Sequence, residues 1–323
     1  MSKQKKVVFF SQNYVYLKKV LDVFGFDYDL GEVEHKLFPD GESYQRIKDL
    51  SQVKNRNVII IGGFIDNNAF LEVYDLACAV SKYGAKTLKI VAPYFAYSTM
   101  ERAVKPGEIV TAKTRTRLIS AIPQAKNGNQ IFLFDLHSEG MPHYFGDNIN
   151  VEHVYCEEVI KGACKDIAGV FPSDFYLMPK DYILASTDAG RAKWVESLAN
   201  KLRINAAFVF KRRLSGSETQ ITSINANVVG KKVIIYDDMI RTGGSLISAA
   251  KAYKEAGAEE ISVVTTHGVF AGNGFEKIKN SGLFKNIVST DSHPNALNFQ
   301  DSGLKVMTIA PLIIKALKNN KEI

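Results

Sequence analysis

Short apolar runs alternate with longer segments of helical periodicity along most of the chain. In the first half the apolar runs predict four strands, at residues 6–10, 57–61, 87–93 and 130–135. Between the second and third of these runs, apolar residues recur at helical spacing from Leu71 to Val80, and Gly84 ends the helix predicted at 68–83. This alternation is typical of a parallel sheet that is covered by helices.

The second half of the chain repeats this scheme. Its predicted strands lie at residues 174–178, 182–185, 206–210, 232–236 and 261–265. Predicted helices lie between them at 191–201 and 245–256. A chain of 323 residues suits two domains of about 150 residues each, and no low-complexity linker interrupts it. We therefore expect an α/β protein with two domains of similar fold, at 1–150 and 151–323.

Composition and charge narrow the class of partner. Lys and Arg outnumber Asp and Glu by 41 to 34, but the basic residues are scattered and form no basic helix or aromatic-interleaved stripe. This pattern argues against nucleic acid and favours small anionic molecules. No apolar run approaches the roughly 18 residues that span a bilayer, and the N-terminal one is too short for a signal peptide, so we expect no membrane segment. Cys78, Cys156 and Cys164 lack metal-ligand spacing, which indicates reduced thiols in the cytoplasm.

A glycine-rich turn after an apolar strand is the strongest chemical signal. Thr242, Gly243, Gly244 and Ser245 lie between a predicted strand and the helix that follows it. Glycines let backbone amides approach a phosphate closely, and the N-terminus of a helix adds partial positive charge. Thr242 and Ser245 add hydroxyl donors, and Ser245 can also cap the helix. In an open α/β sheet this edge is where ligands bind.

Two carboxylates precede this turn. Asp237 and Asp238 follow the apolar strand directly, and burying both against apolar neighbours is costly unless they are paired. The hydroxyl groups of a ribose, or water bound to magnesium, would satisfy them. The competing interpretation is a plain Gly-Gly turn beside a capping aspartate. The acidic pair, the Thr-Gly-Gly sequence and the helix start occur in register, which favours a ribose-phosphate site.

From Val233 to Leu246 the chain resembles the phosphoribosyl-pyrophosphate signature that type I phosphoribosyltransferases share with ribose-phosphate pyrophosphokinases. Further segments resemble the pyrophosphokinases in particular, namely residues 38–42, 91–97, 110–113, 134–137, 187–190 and 211–213. The resemblance implies two tandem type I phosphoribosyltransferase-like domains, each a mainly parallel sheet flanked by helices.

The resemblance also implies a reaction. In that family Mg-ATP donates its β,γ-pyrophosphate to the C1 hydroxyl of ribose 5-phosphate, and AMP is released. Lys211 and Arg213 correspond to the catalytic basic residues, since transfer at phosphorus needs positive charge where oxygen charge builds up. His137 corresponds to a ligand of the magnesium that carries the ATP phosphates, and Asp188 to a ligand of a second magnesium near the sugar. One or two Mg²⁺ ions and ATP as co-substrate are thus expected.

The same comparison assigns an ATP loop. Phe38, Asp40 and Glu42 correspond to residues of that loop, in which Phe38 would stack on adenine and Glu42 would accept from its amino group. Without the resemblance, the stretch equally suits a Pro-Asp-Gly turn.

A further ATP contact of the family departs from the pattern here. The usual Arg-Gln pair is replaced by Thr99 and Met100. These two residues are retained as candidate ATP-binding positions together with Arg102. We expect Arg102 or Lys105 to supply the missing positive charge.

Other departures suggest a different acceptor. Arg241 stands where the family usually has Asp, Arg191 replaces a glycine, and Trp194 lies nearby. A guanidinium beside a phosphate pocket can bind an additional phosphate, and an indole offers a stacking face. The alternative acceptor is therefore a larger ribose 5-phosphate ester such as ADP-ribose, whose product would feed NAD synthesis. The competing interpretation is that Arg241 points to solvent.

Two other function classes stay open. A non-catalytic regulatory homologue is favoured by the altered Thr99-Met100 pair and opposed by the retained Lys211, Arg213 and His137, because such a charged set is costly to hold together. A phosphoribosyltransferase or a transcription regulator on the same fold would need a base-binding hood or a DNA-binding element, and the sequence shows neither. The resemblance further implies a homo-oligomer, a dimer or a hexamer, that shares its ATP loops between subunits.

Overall fold

The computed structural model describes residues 4–170, 178–215 and 218–319. Of residue 189, and of the strand residues between 211 and 223, it describes the backbone alone. Apart from Met178, the strand predicted at 174–178 lies outside the described residues. No helix in the described spans combines the length and the apolar character that crossing a bilayer requires.

The chain forms two compact units. The first consists of the residues up to Tyr155 together with the last helix, at Ala310–Asn319, and the second consists of Cys156–Ile309.

A six-stranded parallel sheet forms the centre of the first unit. The strands of this unit are β1 (Lys6–Phe10), β2 (Tyr28–Leu30), β3 (Val33–Leu37), β4 (Ser43–Ile47), β5 (Asn57–Ile61), β6 (Thr87–Ala92), β7 (Asn129–Phe134) and β8 (Ile149–Val154). The sheet has the order β2-β1-β5-β6-β7-β8, and β3 and β4 form a separate antiparallel hairpin. The connecting helices are α1 (Tyr16–Val23), α2 (Asn67–Lys82) and α3 (Thr111–Ser120).

Local sequence explains these elements. Strands that are buried on both faces read as continuous apolar runs, and all six residues of β7 are buried. Helix α2 begins after Asp66, whose carboxylate accepts a hydrogen bond from the Ala69 N–H at 2.8 Å. Its apolar face, which includes Val73 and Leu76, is buried in the core of the unit. The helix ends where Gly84 adopts a φ of 83°, which glycine tolerates without steric cost.

The second unit has the same architecture. Its strands are β9 (Tyr182–Ser186), β10 (Asn205–Ala207), β11 (Val209–Ser215), β12 (Glu218–Ile224), β13 (Lys232–Ile240), β14 (Glu260–Gly268), β15 (Ile287–Thr290) and β16 (Leu304–Met307). The parallel sheet has the order β10-β9-β13-β14-β15-β16, and β11 and β12 form an antiparallel hairpin. Its helices are α4 (Glu157–Ile167), α5 (Ala192–Leu202), α6 (Gly244–Glu255) and α7 (Gly274–Asn280).

The predicted parallel sheets flanked by helices are confirmed, with two differences in the second unit. The predicted strand at 206–210 is divided, because β10 pairs with β9 whereas β11 pairs with β12. Strand β13 continues past Tyr236, because it stays paired with β14 as far as Ile240 opposite Gly268. The two aspartates of the predicted site therefore lie within a strand and not after its end.

The last helix, α8 (Ala310–Asn319), follows the second unit in sequence but packs against α1. Leu312, Ile313 and Leu317 on this helix are buried, and Lys6 of β1 donates a hydrogen bond to the Leu317 carbonyl at 3.1 Å. The helix thus completes the first unit, whereas the sequence analysis assigned it to the second domain. The division between the units falls after Tyr155.

Candidate active site

The loop between β13 and α6 is held by close backbone contacts. Gly243 has a φ of 77°, and a Cβ atom on it would lie 2.6 Å from the Cγ1 of Ile278. Gly274, the first residue of α7, approaches the loop so closely that a Cβ there would lie 2.4 Å from the carbonyl oxygen of Arg241. A larger residue would therefore strain the backbone and displace the Ile278 side chain at position 243, and would require a backbone shift at position 274. The loop is therefore wedged against α7, and its path is fixed before any ligand binds.

The N-terminus of α6 is open to an anion. Its N-cap is Gly243, in the left-handed conformation and without a side-chain hydrogen bond. The first N–H groups of a helix have no partner within the helix, so here they can bind a ligand. Thr242, Gly244 and Ser245 are exposed around them. The prediction that Ser245 caps the helix is wrong, because Gly243 takes that position and Ser245 lies in the first turn.

The acidic pair is partly neutralised within the protein. Asp238 is 2% exposed, and its Oδ2 lies 2.8 Å from Nη2 of Arg191, whose side chain is 17% exposed. Asp237 accepts a hydrogen bond from the Thr187 hydroxyl at 3.2 Å. Burial, followed by the charges of Asp238 and Asp188, raises the pKa of the Asp237 carboxyl well above its ordinary value. The raised pKa favours the protonated form of Asp237, so the pair carries less than two negative charges.

Asp188 forms part of a tight turn beside this pair. Its Oδ1 accepts a hydrogen bond from the Gly190 N–H at 2.8 Å, and its carbonyl accepts one from the Ser186 hydroxyl. The Ser186 carbonyl in turn accepts one from the hydroxyl of Tyr253 on α6, at 3.0 Å. The turn after β9 and the helix after β13 are thus connected, and Asp188, Asp237 and the phosphate loop lie at one edge of the sheet.

The Trp194 ring, which was expected to offer a stacking face to the acceptor, packs in part against the protein. Its ring stacks on Tyr236, with ring centroids 4.1 Å apart and an angle of 20° between the planes. The Tyr236 hydroxyl lies 3.0 Å from the hydroxyl of Thr266 on β14. Arg191 is likewise engaged by Asp238. Arg241 is the third of the residues that suggested a larger acceptor. It is exposed, and it forms no ion pair with the described residues.

The predicted catalytic residues lie on the hairpin of the second unit. Lys211 and Arg213 belong to β11, and they pair in register with Ile221 and Thr219 of β12. Their side chains lie outside the described part of the chain.

The predicted ATP loop is the turn of the β3–β4 hairpin. The Phe38 N–H donates to the Glu42 carbonyl at 2.8 Å, and Asp40 Oδ1 accepts from the Glu42 N–H at 3.0 Å. The Phe38 ring is 44% exposed. A Pro-Asp-Gly turn and a binding loop are compatible here, since the turn presents an exposed aromatic ring and two carboxylates.

A cavity of about 810 Å³, with four acidic residues in its lining, lies beside this turn. Glu42 borders it together with Asp66, Glu72 and Asp75, and burial raises the pKa of both Glu72 and Asp75. Carboxylates repel phosphate groups but accept hydrogen bonds from amino groups. The lining also contains Lys36 and His35, so the cavity offers both acidic acceptors and basic side chains.

The segment that replaces the Arg-Gln pair is exposed. Met100 is 38% exposed, and the Arg102 side chain is 78% exposed with its Nε 3.5 Å from a carboxylate oxygen of Glu101. Within the described spans, no hydrogen bond or ion pair links Thr99, Met100 or Arg102 to the hairpin turn. Arg102 is therefore not fixed in a binding geometry by the protein alone.

A cation that sequence reasoning missed lies against this segment. The Arg115 guanidinium on α3 lies 5.1 Å from the ring centroid of Tyr97 and 5.5 Å from that of Phe70, and Nη2 donates to Asn67 Oδ1 at 3.0 Å. Its Nε is buried and has no hydrogen-bond partner. A signal was present in the sequence, because Arg115 falls at helical spacing from the buried Ala112 on the same helix face.

The predicted magnesium ligand His137 is exposed just after β7. His153 on the neighbouring β8 accepts a hydrogen bond from the Leu136 N–H at 3.0 Å and packs on the Tyr155 ring, so it orients the turn that carries His137. Asp135 in this turn is buried with a φ of 36°. Sequence reasoning gave His153 no role, because the contact joins two strands. Among the described residues, no group of three or more His, Cys, Asp or Glu side chains is arranged to hold a metal ion.

Comparison with known proteins agrees with this layout. Residues 6–122 match a family described as the N-terminal domain of ribose phosphate pyrophosphokinase, and residues 215–322 match one described as the phosphoribosyl synthetase-associated domain. A crystal structure of phosphoribosylpyrophosphate synthetase from Mycobacterium smegmatis superposes with a TM-score of 0.82, covering 98% of this chain and 100% of that chain at 22% identity. This likeness confirms the predicted fold of two type I phosphoribosyltransferase-like units.

Two curated relatives bear on the family. A ribose-phosphate pyrophosphokinase from Pyrococcus abyssi is 32% identical over 251 residues, which cover 77% of this chain and 81% of the relative. One from Campylobacter jejuni is 30% identical over 291 residues, which cover 90% of this chain and 87% of the relative. With its fold, its phosphate loop and these similarities, the chain belongs to the ribose-phosphate pyrophosphokinase family.

Proposed function

We propose that this protein transfers the β,γ-pyrophosphate of Mg-ATP to the C1 hydroxyl of ribose 5-phosphate, giving phosphoribosyl pyrophosphate and AMP. The observation that carries the proposal is the start of α6, which has no side-chain cap and follows the two aspartates of β13 through a short glycine loop. The 5-phosphate binds the first N–H groups of α6, with the Thr242 and Ser245 hydroxyls as further donors. The ribose hydroxyls face Asp237, whose carboxyl both donates and accepts hydrogen bonds when it is protonated.

The nucleotide contributes the leaving group, and its candidate ligands lie in the first unit. Phe38 offers an exposed ring for adenine, with Asp40 and Glu42 as acceptors in the same turn. Thr99, Met100 and Arg102 remain candidate contacts. In a homo-oligomer, either a dimer or a hexamer, we propose that this turn serves the active site of a neighbouring subunit in the cytoplasm.

Pyrophosphoryl transfer depends on position and on charge. The attacking C1 oxygen and the departing AMP oxygen lie roughly in line with the β-phosphorus, and positive charge stabilises the oxygens around it. We assign this role to Lys211 and Arg213 on the β11–β12 hairpin, by their match to the family. The hydroxyl of C1 is held in place because the 5-phosphate and the other ribose hydroxyls are anchored, which lowers the entropic part of the barrier.

Magnesium fits the nucleotide side of this scheme. Mg²⁺ prefers oxygen ligands, keeps several water molecules and is typically bound through one or two carboxylates plus substrate phosphates, so beside His137 the ion would take most of its ligands from phosphate and water oxygens. The exposed His137, oriented through the Leu136–His153 hydrogen bond, would hold it together with phosphate oxygens. When bound, the ion neutralises charge on the ATP phosphates.

The acceptor assay tests the proposal directly. The protein is incubated with Mg-ATP and ribose 5-phosphate, with ADP-ribose, or with no acceptor, and AMP and the pyrophosphorylated sugar are quantified. We expect AMP to be released with ribose 5-phosphate in equal amount to phosphoribosyl pyrophosphate. Asp237→Ala should reduce this release strongly, whereas the exposed Asp301→Ala should not.

A larger acceptor is the alternative outcome of the same assay. Arg241 is exposed next to the phosphate loop, and this favours a second phosphate, but Arg191 and Trp194 are engaged within the protein. AMP release with ADP-ribose and none with ribose 5-phosphate would replace the proposed acceptor. No AMP with either acceptor, in a protein that still binds ATP, would favour a non-catalytic homologue.

A further inference from the structure

A positive charge already occupies the pocket in which a sugar-side magnesium was expected. Mg²⁺ demands near-octahedral oxygen ligands at short distance. Asp188 Oδ1 accepts from the Gly190 N–H, and Asp238 Oδ2 is paired with Arg191 at 2.8 Å. The donor set therefore fits a second magnesium poorly.

The guanidinium is fixed to the acidic pair by more than one contact. Arg191 is the N-cap of α5, and Trp194 lies one turn further along the same face of that helix. Trp194 stacks on Tyr236, the residue that precedes Asp237 in β13. The start of α5 is thus attached to β13 by an ion pair and by a ring contact, on both sides of Asp237 in the sequence.

Charge balance explains why this arrangement is stable. Asp238 is 2% exposed, and an unpaired buried carboxylate is strongly destabilising. Arg191 compensates that charge permanently, since a guanidinium stays protonated at all physiological pH values. It also carries five N–H donors in a rigid fork, more than one carboxylate can accept. A divalent cation that entered this pocket would meet the guanidinium charge at short range.

We propose that Arg191 supplies at the acidic pair the positive charge that a second Mg²⁺ would otherwise bring, so that the acceptor binds without a divalent cation of its own. This inference rests on the proposed function, because it concerns the same ribose-phosphate site. Arg191 acts as a positioning residue: it holds Asp238, and through it the acidic pair, in the geometry that receives the sugar hydroxyls. Magnesium then enters with ATP alone.

The test is the magnesium dependence of acceptor binding in the absence of nucleotide. Ribose 5-phosphate is titrated into the full-length protein by calorimetry, once with EDTA and once with excess MgCl₂. We expect the wild-type affinity to agree within about twofold between the two conditions. In Arg191→Gly the affinity should fall by about tenfold in EDTA, as one charge-assisted contact is lost, and should recover with magnesium. Arg191→Lys should stay close to the wild type, because it keeps the charge.

Control variants distinguish the loss of the Arg191 charge from a general effect on folding. Arg203→Gly removes an exposed cation from the C-cap of the same helix, at a φ of 56° that glycine tolerates, and should bind like the wild type in both conditions. A wild-type affinity that requires magnesium would overturn the inference, even if Arg191→Gly proved unable to fold. A magnesium response of Arg191→Gly equal to that of the wild type would overturn it as well. Absence of ribose 5-phosphate binding in every condition would instead reject the proposed function.

Discussion

The candidate acceptor site and the candidate nucleotide residues are built in opposite ways. In the second unit, Gly243 and Gly274 fix the backbone of the loop, and Asp238 is buried in an ion pair. In the first unit, the Phe38 ring and the Arg102 side chain are largely exposed. Ordering an exposed side chain costs conformational entropy, whereas a preformed loop has already lost that freedom on folding. The contrast indicates that the acceptor site is preformed. The nucleotide, in contrast, must order part of its binding site when it binds.

The largest expected effect is on stability and falls on the acceptor side. Asp238→Asn removes the buried carboxylate charge that pairs with the partly buried Arg191, which should lower the free energy of unfolding by about 3 kcal/mol. Urea unfolding of the purified protein measures this difference. Asp301→Asn, at an exposed position in the same unit, should change it by less than about 0.5 kcal/mol. If both variants have the same free energy of unfolding, the ion pair at Asp238 does not stabilise the acceptor site.

The next effect tests the fixed path of the loop. Gly243→Ala introduces a Cβ 2.6 Å from Ile278 at a φ of 77°, so we expect a loss of about 2 kcal/mol in stability and of at least about tenfold in affinity for ribose 5-phosphate. Gly282→Ala is the control, because it has a φ of 66° but open space around the added Cβ. It should lose stability from the backbone alone and keep its acceptor affinity. Equal acceptor affinities in the two variants would show that the contact with Ile278 does not shape the site.

On the nucleotide side, a smaller effect is expected from the cation against Tyr97. Arg115→Met keeps an unbranched side chain on the two aromatic rings but removes the charge, and we expect about tenfold weaker ATP binding with unchanged ribose 5-phosphate binding. The exposed Arg117→Met on the same helix should bind ATP normally. Calorimetry with each ligand separates the two sites. Unchanged ATP affinity in Arg115→Met would show that this cation takes no part in nucleotide binding.

The pH dependence of stability tests the environment of the Asp237 carboxyl. Its pKa in the folded protein is raised by burial and by the neighbouring carboxylates, so the unfolded chain releases this proton at lower pH than the folded one. The stabilising contribution is therefore complete below the unfolded pKa near about 3.9 and is lost as the pH rises through the higher folded pKa. Asp237→Asn should show a flatter decline of stability with pH than the wild type. Urea midpoints over a pH series measure this, and parallel declines would contradict it.

The smallest effect should come from the exposed aromatic ring. Phe38→Ala should leave the free energy of unfolding within about 0.5 kcal/mol of the wild type. It should raise the KM for ATP by about fivefold, as expected for the loss of one aromatic contact, with little change in the KM for ribose 5-phosphate. A stability loss as large as that of Asp238→Asn would remove the distinction between the two regions.

Features with local determinants were predictable from the sequence. The apolar runs located most strands of both sheets, and the Thr-Gly-Gly sequence located the phosphate loop, because a strand end, a glycine turn and a helix start follow one another directly. The error at Ser245 arose because serine is a common N-cap. The left-handed Gly243 before the helix takes that position here.

Contacts between distant segments were not predictable in the same way. Arg191 was noticed as a departure, but nothing in its sequence neighbourhood shows that it pairs with Asp238 across two strands. The hydrogen bond from the Leu136 N–H to His153 depends on the register of β7 and β8. Such pairings require knowledge of which strands are adjacent, and a hydrophobic pattern does not contain it.

The position of α8 has a consequence for synthesis of the chain. The second unit is continuous in sequence from Cys156 to Ile309, so all of its strands are synthesised before α8. The first unit is synthesised earlier, yet its α1 face, against which α8 packs, stays uncovered until α8 has been made. The unit that is begun first is thus completed last, and its exposed apolar surface makes the nascent chain a substrate for chaperones during that interval.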